Sequence, residues 1–209
     1  MAIDGDLSSA AEAATAYRER MVLLGVTGGI AAYKAASLAS AWTQRGARVR
    51  VLMTSAATRF ITPLSFQSIT RQPVAADIWR AEEETQHRPE HIDLGDLGDV
   101  FVVAPATADF LARYAHGFAD DIVTLSLLAF AGPVLVAPAM NDKMWAHAAV
   151  QENVAKLRSR NVTIIEPAVG HLACGSFGAG RLAALDTIDR AVTHVLENLP
   201  ASRARHAQV

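Results

Sequence analysis

The sequence has a single cysteine, Cys174, among its 209 residues. One cysteine cannot form an internal disulfide, which excludes the disulfide-framed class of secreted domains. No apolar run reaches the length of about 18 residues that a membrane-spanning helix needs. The first twenty residues carry Asp4, Asp6 and Glu12 and have no continuous apolar core, so we expect no signal peptide. These absences predict a globular domain of the cytoplasm that does not enter a membrane.

An excess of charge of either sign is also missing. Lysine and arginine number 19 and aspartate and glutamate 21, a formal net charge of −2, which argues against a nucleic-acid groove or a polybasic membrane surface. Hydrophobic residues reach 51% and charged residues only 19%, so the chain can build a large core and disorder is not expected. The length is that of one domain.

Short apolar runs rich in valine and leucine recur along the chain, separated by segments of helical length. The runs are continuous rather than alternating, as in strands that are covered on both faces. They predict a single-domain α/β fold, a doubly wound (Rossmann- or flavodoxin-like) parallel sheet with helices on both faces, over residues 21–199, between tails at 1–20 and 200–209. The five predicted strands are Val22–Val26, Val49–Met53, Val100–Ala104, Pro133–Ala137 and Val162–Ile165.

Ligands of such sheets bind beyond the carboxyl ends of the strands, so the residues that follow each strand matter most. Gly28 and Gly29 follow the first strand and precede a helix, where free amides can hold an anion, although a plain tight turn has the same pattern. Thr54 and Ser55 follow the second strand, and their hydroxyls suit either a helix cap or a phosphate.

Small residues follow the third and fourth strands, as a flat ligand would require. Met140, Met144 and Trp145 follow the fourth, and core packing is the simpler interpretation for at least two of them.

Cys174 lies in a glycine-rich segment that is typical of a mobile flap, and it has no neighbouring Cys or His cluster, so no metal site is predicted. His91 directly precedes the third strand.

Taken together, these segments resemble the flavin-dependent cysteine decarboxylases, over about Val22 to Ala184. Any one of the motifs alone would be weak, but five in the same order are specific. They are Gly25–Lys34, His91–Leu94, Ala104–Ala108, Ala137–Asn141 with Met144 and Trp145, and Leu172–Gly175 with Gly180 and Arg181.

The resemblance implies FMN as cofactor and assigns roles by position. His91 matches the family's catalytic base and Cys174 the acid on a flap that covers the substrate; Asn141 matches the residue that holds the substrate carboxylate. The expected substrate contacts also include Met144, Leu172 and Ala173. The expected FMN contacts are Gly28, Gly29, Ile30, Thr54, Ser55, Thr107, Ala108, Asp109 and Ala139.

The resemblance further implies a decarboxylase that acts on a C-terminal cysteine carboxylate. One branch of the family converts phosphopantothenoylcysteine to phosphopantetheine in coenzyme A biosynthesis, and it needs a proton donor at carbon; Cys174 favours this branch. The alternative branch decarboxylates peptides that end in cysteine, leaves an enethiol and has no need of the thiol. A third possibility is a non-catalytic, flavin-binding regulatory protein, against which the presence of His91, Asn141 and Cys174 argues. Family members assemble as homotrimers or dodecamers of trimers, with His91 of one subunit near the flavin of another.

Three positions depart from the family's pattern. Asp109 and Asp121 stand where asparagine is common, and each replaces an amide donor with an acceptor when it is ionised. Ser176 stands where an acidic residue is common. Because Asp109 is an expected FMN contact, the change from asparagine to aspartate at this position puts its role beside the flavin in question.

Overall fold

A computed structural model describes residues 15–79 and 89–200 of the chain. Six parallel strands form one sheet in the order β3-β2-β1-β4-β5-β6, and β7 and β8 form a separate antiparallel hairpin. The strands are β1 Met21–Val26, β2 Arg48–Met53, β3 Val74–Ala75, β4 Val100–Ala106, β5 Val134–Pro138, β6 Thr163–Ile164, β7 Ala168–His171 and β8 Phe177–Arg181.

Helices cover both faces of the sheet. They are α1 Ala32–Gln44, α2 Pro63–Thr70, α3 Glu90–Leu97, α4 Ala108–His116, α5 Ile122–Ala129, α6 Asp142–Ala146, α7 Ala148–Arg158 and α8 Leu185–Glu197, with a short 3₁₀ turn at Ala57–Arg59. One core cluster packs α1 and α8 on the sheet, and the other packs α4, α5 and α7 on the opposite face. The predicted doubly wound α/β fold is confirmed. Every helix in the described ranges is too short or too polar to cross a bilayer.

All five predicted strands are present. Four are apolar runs buried between helices, and the fifth, at 162–165, is reduced to the two-residue edge strand β6, which is partly exposed. The sequence analysis missed β3, which has only two residues, and the β7–β8 hairpin, whose glycines and polar residues carry no strand pattern. The segment of helical length between β5 and β6 forms two helices, α6 and α7, because His147 has an extended backbone and accepts the Ala149 amide as the cap of α7.

Tyr17 belongs to the packed core, although the sequence analysis assigned residues 1–20 to a tail. Its side chain is fully buried and stacks on Trp42 of α1, with ring centroids 6.3 Å apart. Its hydroxyl donates a hydrogen bond to the Asp189 carboxylate of α8 (2.9 Å), and burial raises the pKa of that hydroxyl. Residues 1–14 and 201–209 of the predicted tails lie outside the described residues.

Asp189 ties the start of the described chain to α1 and α8. Its carboxylate accepts hydrogen bonds from the Tyr17 hydroxyl, from the Trp42 indole (2.9 Å) and from the Arg45 guanidinium (2.7 Å). Removing the carboxylate leaves these donors without their acceptor in a half-buried position, which costs more than the loss of a surface ion pair.

We therefore expect Asp189→Ala to lower the free energy of unfolding by about 2 to 4 kcal/mol, measured by urea denaturation. Asp186→Ala is the matched control, since Asp186 lies exposed on the same helix, and it should change stability by less than about 1 kcal/mol. Equal effects of the two substitutions would contradict an anchoring role for Asp189.

Candidate active site

The site lies at the carboxyl ends of two neighbouring strands whose following helices pack on opposite faces of the sheet. β1 and β4 are adjacent, and the helices that follow them, α1 and α4, pack on opposite faces of the sheet. Thr27 joins the two strand ends, since its buried hydroxyl donates to the Pro105 carbonyl (2.8 Å) and accepts from the Thr107 amide (3.0 Å). Such a switch point opens a crevice at the carboxyl edge of a parallel sheet.

Two adjoining cavities occupy this crevice. The first, of about 630 Å³, extends from α1 to the β7–β8 hairpin, and the second, of about 510 Å³, extends from the end of β2 to the start of α4. Gly28, Thr107, Ala108 and Met144 line both. The two spaces therefore form one elongated site rather than two separate ones.

The structure brings together all the predicted FMN contacts. Gly29, Ile30 and Ala139 line the first cavity, and Thr54, Ser55 and Asp109 line the second; Gly28, Thr107 and Ala108 line both. The predicted substrate contacts Asn141, Met144, Leu172 and Ala173, together with Cys174, line the first. Their roles stay predictions, but they share one site.

Hydroxyls and backbone form the side of the second cavity that lies at the end of β2. The Thr54 hydroxyl accepts a hydrogen bond from the Ala57 amide (3.2 Å), so it caps the 3₁₀ turn, whereas Ser55 is exposed at the cavity. Gly28 packs directly on this turn: a Cβ at Gly28 would lie 2.4 Å from the Cβ of Ala56. Only glycine lets the β1 and β2 ends approach this closely.

The acidic residues at this end of the site are already engaged. Arg113 donates to Asp109 (2.9 Å) and to Asp120 (2.6 Å), and its hydrogen bond lowers the pKa of the Asp120 carboxyl. Asp121 caps α5, accepting the Val123 amide at 2.9 Å. The two aspartates in place of asparagine therefore have structural partners, and Arg113 offsets the charge of Asp109 at the cavity.

The β7–β8 hairpin forms the outer wall of the first cavity. The Met140 amide donates to the Gly180 carbonyl (2.8 Å), which holds β8 against the loop that follows β5. Gly180 has φ of +148°, and a Cβ there would lie 2.4 Å from the Met140 carbonyl oxygen, so the contact requires glycine. The glycine-rich segment that the sequence analysis interpreted as a flap is thus a hairpin fastened at its base.

Cys174 lies exposed in the turn of this hairpin, between two polar side chains. Its sulfur accepts a hydrogen bond from the Asn141 amide nitrogen (3.0 Å) and lies 3.2 Å from the Ser176 hydroxyl. The hydroxyl and backbone amide of Ser176, followed by Asn141, lower the pKa of the Cys174 thiol. Asn141 is oriented by its own Oδ1, which accepts the Lys143 amide (2.9 Å) as the cap of α6. Its Nδ2 therefore faces the thiol and the cavity.

His91 is the predicted site residue that the single chain does not bring to the crevice. It lies half-buried in the first turn of α3 and lines neither cavity. The segment that precedes α3, residues 80–88, is outside the described residues. A catalytic role for His91 stays a prediction that needs a second subunit.

The sequence analysis did not assign Tyr33, Lys34, His171 and Arg181, which also line the first cavity. Ile30, Tyr33 and Lys34 follow one another at helical spacing from the glycine pair, a signal that could have placed Tyr33 and Lys34 there. Burial, and then the nearby Arg181, lower the pKa of Lys34. Two cations thus lie near each other in the lining of this cavity.

Met140 and Trp145 pack against the core, as the simpler interpretation of the methionine-rich segment expected, while Met144 stays 47% exposed at the site. No group of three His, Cys, Asp or Glu residues suited to a metal ion occurs within residues 15–79 and 89–200.

Comparisons with known proteins identify relatives of this chain. A family model described as Flavoprotein matches residues 10–197. The coenzyme A biosynthesis bifunctional protein CoaBC of Bacillus subtilis (strain 168) is 47% identical over 163 residues, which are 78% of this chain and 40% of that protein. This chain therefore spans about two fifths of the length of that relative.

Two solved structures share the fold. A PPC decarboxylase mutant complexed with pantothenoylaminoethenethiol is 31% identical with a TM-score of 0.78, covering 87% of this chain and 100% of that one. The FMN-dependent cysteine decarboxylase SpaF is 32% identical with a TM-score of 0.72, covering 86% of this chain and 98% of that one.

The close approach at Gly28 generates a prediction with a built-in control. Gly28→Ala forces the β2 turn away and should lower the free energy of unfolding by about 1 to 3 kcal/mol. Gly29→Ala, whose Cβ would meet only the Thr107 methyl at 3.7 Å, should change it by less than about 0.5 kcal/mol. Urea denaturation of the two variants tests this. Equal free energies of unfolding would show that the turn after β2 can move away from a side chain at position 28 at no cost.

Proposed function

The chain belongs to the Flavoprotein family, and from that premise we propose that it is an FMN-dependent decarboxylase of a substrate that ends in a cysteine carboxylate. The single observation that carries the proposal is the elongated crevice, which joins a hydroxyl- and glycine-lined end to an end that holds Asn141 and Cys174. One end suits a phosphorylated cofactor, and the other presents an amide donor beside a thiol.

The residues present fit FMN. Ser55 and the backbone at Gly28 and Gly29 would hold the phosphate, and Ala108 and Ala139 leave room for a flat ring. Arg113 lines the same cavity and pairs with Asp109, which reduces but does not cancel the negative charge that the aspartates bring to this end. Bound FMN supplies the electron acceptor without which a cysteine carboxylate has no route to lose carbon dioxide.

The chain's own residues then position the substrate and move protons. The Asn141 amide, held with Nδ2 toward the cavity, donates to the substrate carboxylate, and Met144, Leu172 and Ala173 exclude water around it. Cys174 holds a proton at Sγ for delivery to carbon.

His91 of a neighbouring subunit acts as the base. This role requires a homo-oligomer, a trimer or a dodecamer of trimers, because His91 lines neither cavity of its own chain. We place this assembly in the cytoplasm, where coenzyme A biosynthesis would supply its substrate. Exposed apolar side chains such as Trp79 (72% exposed) and Leu64 (68% exposed) are compatible with subunit contacts.

Phosphopantothenoylcysteine is the substrate that the first cavity favours, with a peptide that ends in cysteine as the second candidate. Lys34 and Arg181 line this cavity as two neighbouring cations, and like charges this close destabilise each other unless an anion lies between them. A phosphorylated substrate offers a phosphate as well as the carboxylate, whereas the terminal cysteine of a peptide offers the carboxylate alone.

The product distinguishes these substrates. We expect the yellow, FMN-loaded protein to convert phosphopantothenoylcysteine with the loss of carbon dioxide alone, and a peptide that ends in cysteine slowly or not at all, as measured by mass spectrometry. Loss of carbon dioxide plus two hydrogens from the peptide, with no reaction of the other substrate, would overturn the assignment. A colourless protein that cannot be loaded with FMN would contradict the proposed FMN dependence.

Two variants assign the residues in the same assay. Cys174→Ser should still release carbon dioxide but accumulate the unsaturated enethiol, and His91→Asn should keep FMN yet release none. Normal saturated product from Cys174→Ser at the original rate would remove Cys174 from proton delivery.

Lys34→Met keeps the apolar stem and removes the charge. We expect it to raise KM for phosphopantothenoylcysteine about tenfold, the effect of one charge-assisted contact, with little change for unphosphorylated pantothenoylcysteine. Lys156→Met on α7 is the control, since Lys156 lies outside both cavities. An equal rise for both substrates would show that Lys34 binds the shared carboxylate instead.

A further inference from the structure

Three side chains form a chain of hydrogen bonds that ends on the Cys174 thiol. The Ser176 hydroxyl lies 2.8 Å from Oδ1 of Asp142 and 3.2 Å from Sγ of Cys174. We propose that Ser176 and Asp142 are positioning residues that set how tightly Cys174 holds its proton, with the Ser176 hydroxyl alternating between the carboxylate and the sulfur.

The argument begins with the number of protons. A serine hydroxyl has one proton to donate, and two acceptors compete for it here. The shorter contact goes to the charged Asp142 carboxylate, so while Cys174 is a thiol the hydroxyl donates to Asp142 and its oxygen accepts the S–H. Once Cys174 has lost its proton, the thiolate becomes a second anion, and the hydroxyl can turn to donate to it.

The two residues therefore act on the thiol in opposite directions. Asp142 draws the hydroxyl proton away from sulfur and keeps the thiol protonated, while Ser176 supplies a donor that stabilises the thiolate. Asn141 also donates to sulfur through Nδ2, but its Oδ1 is held by the Lys143 amide, so it does not link the thiol to Asp142.

The packing holds Asp142 in place for this role. Asp142 lies at the start of α6, half-buried beneath β8, and a Cβ at Gly178 would lie 2.7 Å from the Asp142 Cβ. A change to asparagine keeps the shape, removes the charge and replaces one carboxylate oxygen with an amide donor, and both changes weaken the pull of position 142 on the hydroxyl proton. Other titratable groups also line the cavity with Cys174: Tyr33 and Lys34 on α1, His171 on β7 and Arg181 on β8. None of these makes a hydrogen bond to Ser176 within the described ranges, so their influence on the thiol stays the same in the variants tested.

The consequence for proton delivery rests on the proposed function, but the hydrogen-bond chain can be tested without turnover. Cys174 is the one cysteine in the sequence, so alkylation of the FMN-loaded full chain by iodoacetamide reports on this thiol alone. The measurement is the midpoint of the alkylation rate against pH, which follows the ionisation of the thiol rather than its intrinsic nucleophilicity.

We expect Asp142→Asn to move the midpoint to lower pH and Ser176→Ala to move it to higher pH, each by about half a pH unit. The double variant should match Ser176→Ala, because Asp142 acts through the hydroxyl. Asp186→Asn and Ser159→Ala, at exposed positions of α8 and at the end of α7, are the matched controls and should leave the midpoint unchanged.

Shifts in the same direction for the two single variants would overturn the proposal. A second result would also overturn it. If the midpoint of the double variant lay below that of Ser176→Ala by the full shift that Asp142→Asn causes alone, the carboxylate would act on the thiol through space and not through the hydroxyl. Circular dichroism and flavin absorbance of each variant show whether it is folded and loaded. If the decarboxylase activity were absent, the order of midpoints would be unaffected, so the two proposals fail separately.

Discussion

The site depends on one backbone hydrogen bond, from the Met140 amide to the Gly180 carbonyl. It fastens the β7–β8 hairpin to the loop that follows β5, and its geometry excludes any side chain at Gly180. Because the hairpin is held there, Cys174 in its turn reaches Asn141 across 33 positions of sequence. The Ser176–Asp142 hydrogen bond adds a second attachment nearer the turn, and together the two contacts place the outer wall of the crevice and its thiol.

Charge is distributed unevenly along the crevice. In the second cavity Arg113 is shared by Asp109 and Asp120, and Asp121 caps α5, beside the hydroxyls that follow β2. Around Lys34 and Arg181 the cavity presents two cations near each other. An anionic substrate beside these two cations would reduce the cost of placing them together.

Much of the fold and part of the site could be predicted from local pattern. Apolar runs such as Val100–Ala104 define buried strands because a sheet covered on both faces needs side chains that are apolar throughout. The hairpin was missed because its order comes from Met140 and Asp142, which contact it from a distant part of the chain. Tyr17 was missed for the same reason, since its neighbourhood is polar and alanine-rich and its partners are Trp42 and Asp189.

Residue order alone was enough for the α/β class, the strands and the motifs at their carboxyl ends, because these follow from short-range periodicity and from turns that only certain residues allow. The three-dimensional arrangement was needed to show that Lys34 and Arg181 share a cavity, that Asp121 is a cap, and that Ser176 stands between Asp142 and Cys174. Each of these depends on residues that lie close together in space. Lys34 on α1 lies near Arg181 of the hairpin, and Asp142 on α6 contacts Ser176 of the hairpin. No spacing along the chain encodes either contact.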